Sequence, residues 1–249
     1  MAFYNCLLFD MDDTLLDFAA AEDAAIHETL EHFEFDDIDS ACEKYKAINK
    51  LLWQKLDKGE IKQDKLVVLR FEQLLREVGK LGNAAEMNKF YLGALSTHCD
   101  IYVGVDEMLD ELSQVATLAI VSNGIEYVQA RRLKDSGIEK YFDAVAVSGK
   151  IGASKPARRI FDAVLTELGI ENRSKVLVVG NSLSTDVQGG KNAGLKTCLL
   201  NTNGEDLPEN SVKPDYVIKG YEQLLRIVME EDELTNVGSQ EKRHQVQVV

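Results

Sequence analysis

Proline, histidine and tryptophan are scarce in this chain of 249 residues: three, four and one. None of the prolines falls between about residues 19 and 95, so nothing in that stretch forces a helix to break. The four cysteines, Cys6, Cys42, Cys99 and Cys198, lie far apart with no C-x-x-C spacing, and read as reduced packing residues. His27, His32 and His98 show no H-x-x-x-H spacing and His244 lies near the end, so no histidine stands beside a candidate motif. Basic charge is short as well. Lys and Arg total 28 against 42 Asp and Glu, a formal net charge of −14. That balance opposes a nucleic-acid partner, which needs clustered cations. The longest apolar run, around residues 115–121, is too short to span a bilayer. The N-terminus has no basic segment and meets Asp10 too soon for a secretory signal. A cytoplasmic protein without a membrane partner is expected.

What is present falls into two textures. Tyr4-Asn-Cys-Leu-Leu8 reads as a buried strand. From about Ala19 to Leu95 the apolar residues recur at helical spacing: Ala24, Ile26, Leu30 and Phe33; Tyr45, Ile48, Leu52 and Leu56; Leu66, Leu69, Leu74 and Val78; then Phe90 to Leu95. Four helices are expected there, with Tyr45 and Trp53 in their core. Beyond about Tyr102, strands at 117–122, 144–147, 175–179, 197–200 and 216–218 alternate with helices at 125–136, 156–168, 185–193 and 221–229. Such alternation predicts a parallel sheet covered on both faces. Residues 230–249 are polar and are expected to fray.

Four polar clusters sit at the ends of predicted strands or in the turns beyond them, where open α/β sheets place their sites. In Asp10-Met-Asp12-Asp-Thr14, two carboxylates two residues apart can converge as the strand ends. Oxygens at such a point suit a hard cation, and a carboxylate beside phosphate can act as a nucleophile. Ser122-Asn123-Gly124 offers a hydroxyl and an open backbone to an anion. Lys155 precedes Pro156 at a predicted helix start, where anions are favoured. Asn181 and Asp186 flank the turn after the strand at 175–179 and add two candidate metal ligands. Any one of these clusters is an ordinary turn; their joint placement is not.

Together the clusters resemble the haloacid dehalogenase-like hydrolase superfamily, residue by residue at Asp10, Asp12, Thr14, Ser122, Lys155 and Asp186. The resemblance implies an α/β fold: a Rossmann-like parallel-sheet core, residues 1–17 plus 98–231, with an all-helical cap inserted over 18–97 and a tail at 232–249. It implies that Asp10 attacks phosphorus. Asp12 would serve as acid and then base. Ser122 and the Asn123–Gly124 backbone would hold phosphate, and Lys155 would neutralise charge. Mg²⁺ would bind Asp10, Asp12, Asn181 and Asp186. The acid at Asp12 resembles phosphatases rather than dehalogenases. Asp12 to Phe18, Asn123 to Leu133 and Asp186 to Gly194 are similar to the pyrimidine 5′-nucleotidase branch, which implies small phosphorylated substrates such as UMP, dUMP and dTMP.

Asp17 and Phe18 are expected to border the substrate, and Arg131 with Arg132 to form one solvated helix face. Asn181 departs from the superfamily pattern, where Asp is usual; weaker Mg²⁺ binding with retained chemistry is expected. Two other readings stay open. One is a sugar-phosphate phosphatase or phosphoglucomutase-like relative. The other is a weakly active sensor of a phosphorylated metabolite, which the intact acid pair disfavours. Oligomeric state is not readable.

Overall fold

The computed structural model describes residues 3–229; the expected fraying tail lies outside them. Six strands form one parallel sheet: β1 (Cys6–Phe9), β2 (Thr117–Ser122), β3 (Ala144–Val147), β4 (Val176–Gly180), β5 (Lys196–Leu200) and β6 (Tyr216–Ile218). Their order is β3-β2-β1-β4-β5-β6. The chain therefore builds outward from β1 to β3, then crosses β1 and builds the other way from β4. This is the Rossmann-like arrangement, and it opens a crevice beyond the carboxyl ends of β1 and β4. Phe9 pairs with Ile120 on one side and Val179 on the other, so Asp10 leaves the sheet at its centre.

Both faces of the sheet are apolar, because β1 is buried on each side. Leu7 and Phe9 join a cluster with Val105, Met108, Leu109 and Leu112, and with Leu224 and Val228 of the helical residues 221–229. Cys6 and Leu8 face Ile160, Phe161, Val164 and Leu165. Each large apolar side chain so buried contributes about 1.5–3 kcal/mol. Val105–Ser113, a helix the sequence reading left out, supplies much of the first cover. Burial pushes the thiols of Cys6 and Cys198 up to about 12, in keeping with inert packing residues.

Between β1 and β2 lie α1 (Phe18–His32), α2 (Ile38–Asp57), α3 (Gln63–Val78) and α4 (Ala84–Leu95), as the periodicity predicts. They share a hydrophobic cluster of their own, centred on Tyr45, Phe71 and Tyr91 with ring centroids 5.4–5.7 Å apart. Caps explain their starts: Asp17, Asp37 and Asn83 accept from backbone N–H groups of the first turns. Among the described residues no helix is long and apolar enough to cross a membrane.

Two local expectations change. The helix expected from Pro156 starts instead at Arg158, with Ala157 as its extended N-cap. Pro156 follows a cis peptide bond and lies in the loop, because Lys155 is pinned by its backbone to Asn123. The helix expected from Thr185 to Ala193 is a wide π-type turn, Leu183–Val187, followed by a short helix, Gln188–Asn192. Ser182 O accepts from both Asp186 N and Val187 N, which widens the turn.

The entry into β6 is held by one carboxylate. Asp215 accepts from Lys191, Lys196 and Thr197. Partial burial alone would raise its pKa, but these donors bring it down to about 2. Because the folded value is depressed, the stabilisation is full above the unfolded value of about 4 and fades as pH falls towards 2. Asp215→Asn is therefore expected to lower unfolding free energy by roughly 1–3 kcal/mol at neutral pH. In denaturant melts from pH 7 to pH 2, the variant and the parent should converge at the acid end.

Candidate active site

Asp10, Ser122 and Asn181 stand at the carboxyl ends of β1, β2 and β4, three adjacent strands, and Lys155 reaches the same cavity from the loop after β3. Lys155 is 3% exposed, and its Nζ lies 2.6 Å from Asp10 Oδ1 and 2.7 Å from Asp186 Oδ1. Burial, then the Asp186 carboxylate, pushes Asp10 well above the ordinary carboxylate range, against the pull of Lys155. Burial would lower Lys155, but Asp10 and Asp186 together raise it above its usual value. Met11 N donates to Asp10 Oδ1 at 2.8 Å and orients it.

The neighbouring loop is tied to this lysine. Asn123 Nδ2 donates to Lys155 O at 2.9 Å, and Lys155 N donates to Asn123 Oδ1 at 2.7 Å. The Asn123 side chain is thus spent on holding Lys155. Ser122 Oγ accepts from Gly124 N at 3.0 Å and from Gln129 Nε2 at 2.8 Å. A Cβ on Gly124 would meet Gln129 at 2.5 Å, so a larger residue there would displace the side chain that donates to Ser122 and Asp12. A Cβ on Gly180 would lie 2.3 Å from Asp186 Oδ2, where Asp186 folds back over the strand end.

A cavity of about 370 Å³ opens over these groups, within the size range of small-molecule sites. Asp10, Asp12, Ser122, Asn123, Gly124, Lys155 and Asn181 line its polar end. Phe18, Trp53, Val67, Tyr91 and Leu92, from α1 to α4, contribute to the rest. Trp53 thus packs on the bundle core and also faces the cavity. Phe18 borders the cavity, whereas Asp17 is not among its lining residues and caps α1. Gln63 of α3 donates to Asn123 O at 2.9 Å, joining the bundle to the loop after β2.

The site can accommodate a cation. Asp10 and Asp186 both face the Lys155 ammonium, and Asp12 faces Arg132. Among the described residues no three His, Cys, Asp or Glu gather as a metal cluster. Mg²⁺ does not require one: it binds through one or two carboxylates and keeps several waters. Asp10 and Asn181 both line the cavity and are the side chains that could hold it. Asp186 does not line the cavity, and its oxygens serve Lys155 Nζ and Ser182 N.

The family described as haloacid dehalogenase-like hydrolase matches residues 7–200. The chain belongs to that family. It is 34% identical to the HAD-hydrolase YfnB of Bacillus subtilis over 90% of this chain and 95% of that protein. Similarity extends to the pyrimidine 5′-nucleotidases PynA of Streptococcus pneumoniae (33%; 90% and 94% covered) and YjjG of Escherichia coli (31%; 90% and 98%). A magnesium-bound crystal structure of YfnB superposes with a TM-score of 0.84 at 33% identity, covering 90% of this chain and 98% of that one. Haloacid dehalogenase folds follow at lower identity, for example 23% with a TM-score of 0.65. The chain is accordingly an enzyme of the phosphatase class within this family.

The sequence reading of Arg131 and Arg132 as one solvated face is wrong for Arg132. Arg131 is 53% exposed at its side chain, but Arg132 is fully buried. Arg132 Nη1 donates to Asp12 Oδ1, and its Nε donates to His98 O at 2.8 Å. Gln129 Nε2 donates to the other Asp12 oxygen at 2.7 Å. The signal was present: Val128, Gln129, Arg132 and Leu133 recur on one buried side of the helix Glu126–Asp135. Arg132→Gln is expected to cost roughly 1–3 kcal/mol of stability and to lower kcat, whereas Arg131→Gln should change neither appreciably. Chemical denaturation and steady-state phosphate release on the two variants check this contrast.

Proposed function

We propose that this enzyme hydrolyses pyrimidine nucleoside monophosphates through an aspartyl-phosphate on Asp10, with Mg²⁺ as cofactor. The reading is carried by the single cavity that joins a buried Asp10–Lys155 pair to apolar and aromatic helix walls. The similarity to proteins named pyrimidine 5′-nucleotidases supports it.

Residues 18–97 then act as a cap over a core formed by the remaining described chain. The phosphoryl group lies at the polar end, with Ser122 Oγ and the Asn123–Gly124 backbone beside its oxygens. An Asp10 oxygen forms a bond to phosphorus as the ester P–O bond breaks, and Asp12 gives the departing nucleoside oxygen its proton. Asp12 next takes a proton from a water that attacks phosphorus, which frees phosphate and restores Asp10. Lys155 offsets the negative charge shared by Asp10 and the phosphoryl oxygens. Arg132 and Gln129 keep Asp12 on its side of the cavity. When bound by Asp10, the Asp12 carbonyl and Asn181, Mg²⁺ would neutralise phosphoryl charge. Asp186 serves that ion indirectly, by fixing Lys155.

Phosphate release from UMP, dTMP, purine monophosphates and sugar phosphates, with Mg²⁺ and with chelator, tests the reading. Metal-dependent turnover with highest kcat/KM on UMP or dTMP is expected, falling to background in Asp10→Asn. Preference for a sugar phosphate would retain the chemistry and discard the nucleotidase assignment. Turnover surviving in Asp10→Asn would discard the mechanism. Asn181→Asp adds a charged ligand and is expected to move half-maximal activation to lower Mg²⁺. An unchanged or higher requirement would remove Asn181 from the ligand set.

A further inference from the structure

One charged wall of the cavity is used neither by the phosphate end nor by the acid–base step. Arg70, midway along α3, is 3% exposed and lines the cavity together with Phe18, Trp53, Val67, Tyr91 and Leu92. Its Nε donates to Val67 O at 3.2 Å, Nη1 to Asn49 Oδ1 at 3.3 Å and Nη2 to Asn88 Oδ1 at 3.0 Å. The guanidinium also stands 4.4 Å over the Tyr91 ring. Glu22 is linked to it through Asn49, whose Nδ2 donates to Glu22 Oε1 at 2.6 Å.

A guanidinium carries five N–H donors, and these bonds occupy three. All three acceptors are neutral. Tying α2, α3 and α4 together would need an amide, not a cation that is costly to bury. The position instead resembles a pre-set donor fork: charged, held on the cavity wall by three hydrogen bonds, and joined to the Glu22 carboxylate only through Asn49. Flat aromatic and apolar neighbours suit the faces of a planar ring better than a hydroxyl-covered sugar.

We propose that Arg70 is the specificity-determining residue of the cavity, donating to a ring carbonyl oxygen of a pyrimidine base seated against Phe18, Trp53 and Tyr91. The proposal rests on the nucleotidase reading and adds to it the residue that selects the base. A site that donates to a buried carbonyl rejects ligands lacking one, because its own donor is then left unpaired.

The test measures kcat/KM for UMP, ribose 5-phosphate and an N-acylneuraminate 9-phosphate in the parent, Arg70→Lys and Arg70→Gln, with a thermal melt of each. The UMP to ribose 5-phosphate ratio is expected to fall about 10- to 100-fold in both variants, chiefly through KM. A ratio that holds while both esters decline together would reduce Arg70 to a scaffold and overturn the proposal. A loss confined to the N-acylneuraminate ester would assign Arg70 to a carboxylate and overturn it too. Should the variants melt below the assay temperature, the parent alone decides. Replacing uracil by a phenyl ring on the same ribose phosphate keeps the faces and removes the carbonyls. A comparable fall in kcat/KM supports the proposal, and equal values for the two rings overturn it. Failure of the nucleotidase reading looks different: the parent itself would not prefer UMP to ribose 5-phosphate.

Discussion

The Lys155 ammonium sits in the interior between two carboxylates, and much of the surrounding architecture keeps it there. Leaving a buried charge without its partner costs about 3–5 kcal/mol, so Asp10 and Asp186 constrain the lysine as firmly as the lysine constrains them. Their placement depends on the sheet order. Asp10 follows the central strand and Asp186 lies in the turn after its neighbour β4. The loop carrying Lys155 is clasped by the Asn123 side chain at the end of β2. Gly180 contributes by having no side chain, since Asp186 occupies the place where a Cβ would stand.

Around this centre the charges are sorted by partner. Asp12 is turned towards Arg132 and Gln129 on the helix after β2, away from the lysine. That helix also sends Val128 into the hydrophobic cluster of the four-helix bundle, and Arg132 holds the His98 carbonyl where the chain returns from the bundle to the sheet. One helix therefore orients Asp12, meets the bundle and secures a crossover. Gln63 makes a second tie from α3 to the loop after β2. The cavity inherits its two characters from this junction: oxygen and ammonium groups below, aromatic and aliphatic walls above. Such a division suits a substrate with an anionic end and a flat apolar-faced end.

Strands, helices and the four polar clusters were legible along the chain because they are local signals. Short apolar runs marked the six strands and period-3.6 patterning the four inserted helices, and the motifs placed Asp10, Ser122 and Asn181 at or just beyond strand ends and Lys155 in the loop before a helix. The same local logic misjudged Pro156, whose loop is set by the distant Asn123, and the turn at 183–187, widened where Asp186 folds back. Val105–Ser113 escaped notice although its apolar residues cover the sheet.

Linear sequence determined the parallel α/β sheet, the helical insertion after the first strand and the paired aspartates at that strand's end, since those features follow from residue type and spacing. Tertiary structure alone decided which charges meet. Arg131 and Arg132 are neighbours in sequence, yet about 100° of rotation per residue leaves one in water and carries the other to Asp12. Arg70 belongs to no motif and Asp186 reads as a metal ligand, until folding brings the first to the cavity wall and the second onto Lys155. Coulombic pairing and desolvation act across space, and no local pattern records which partner will be there.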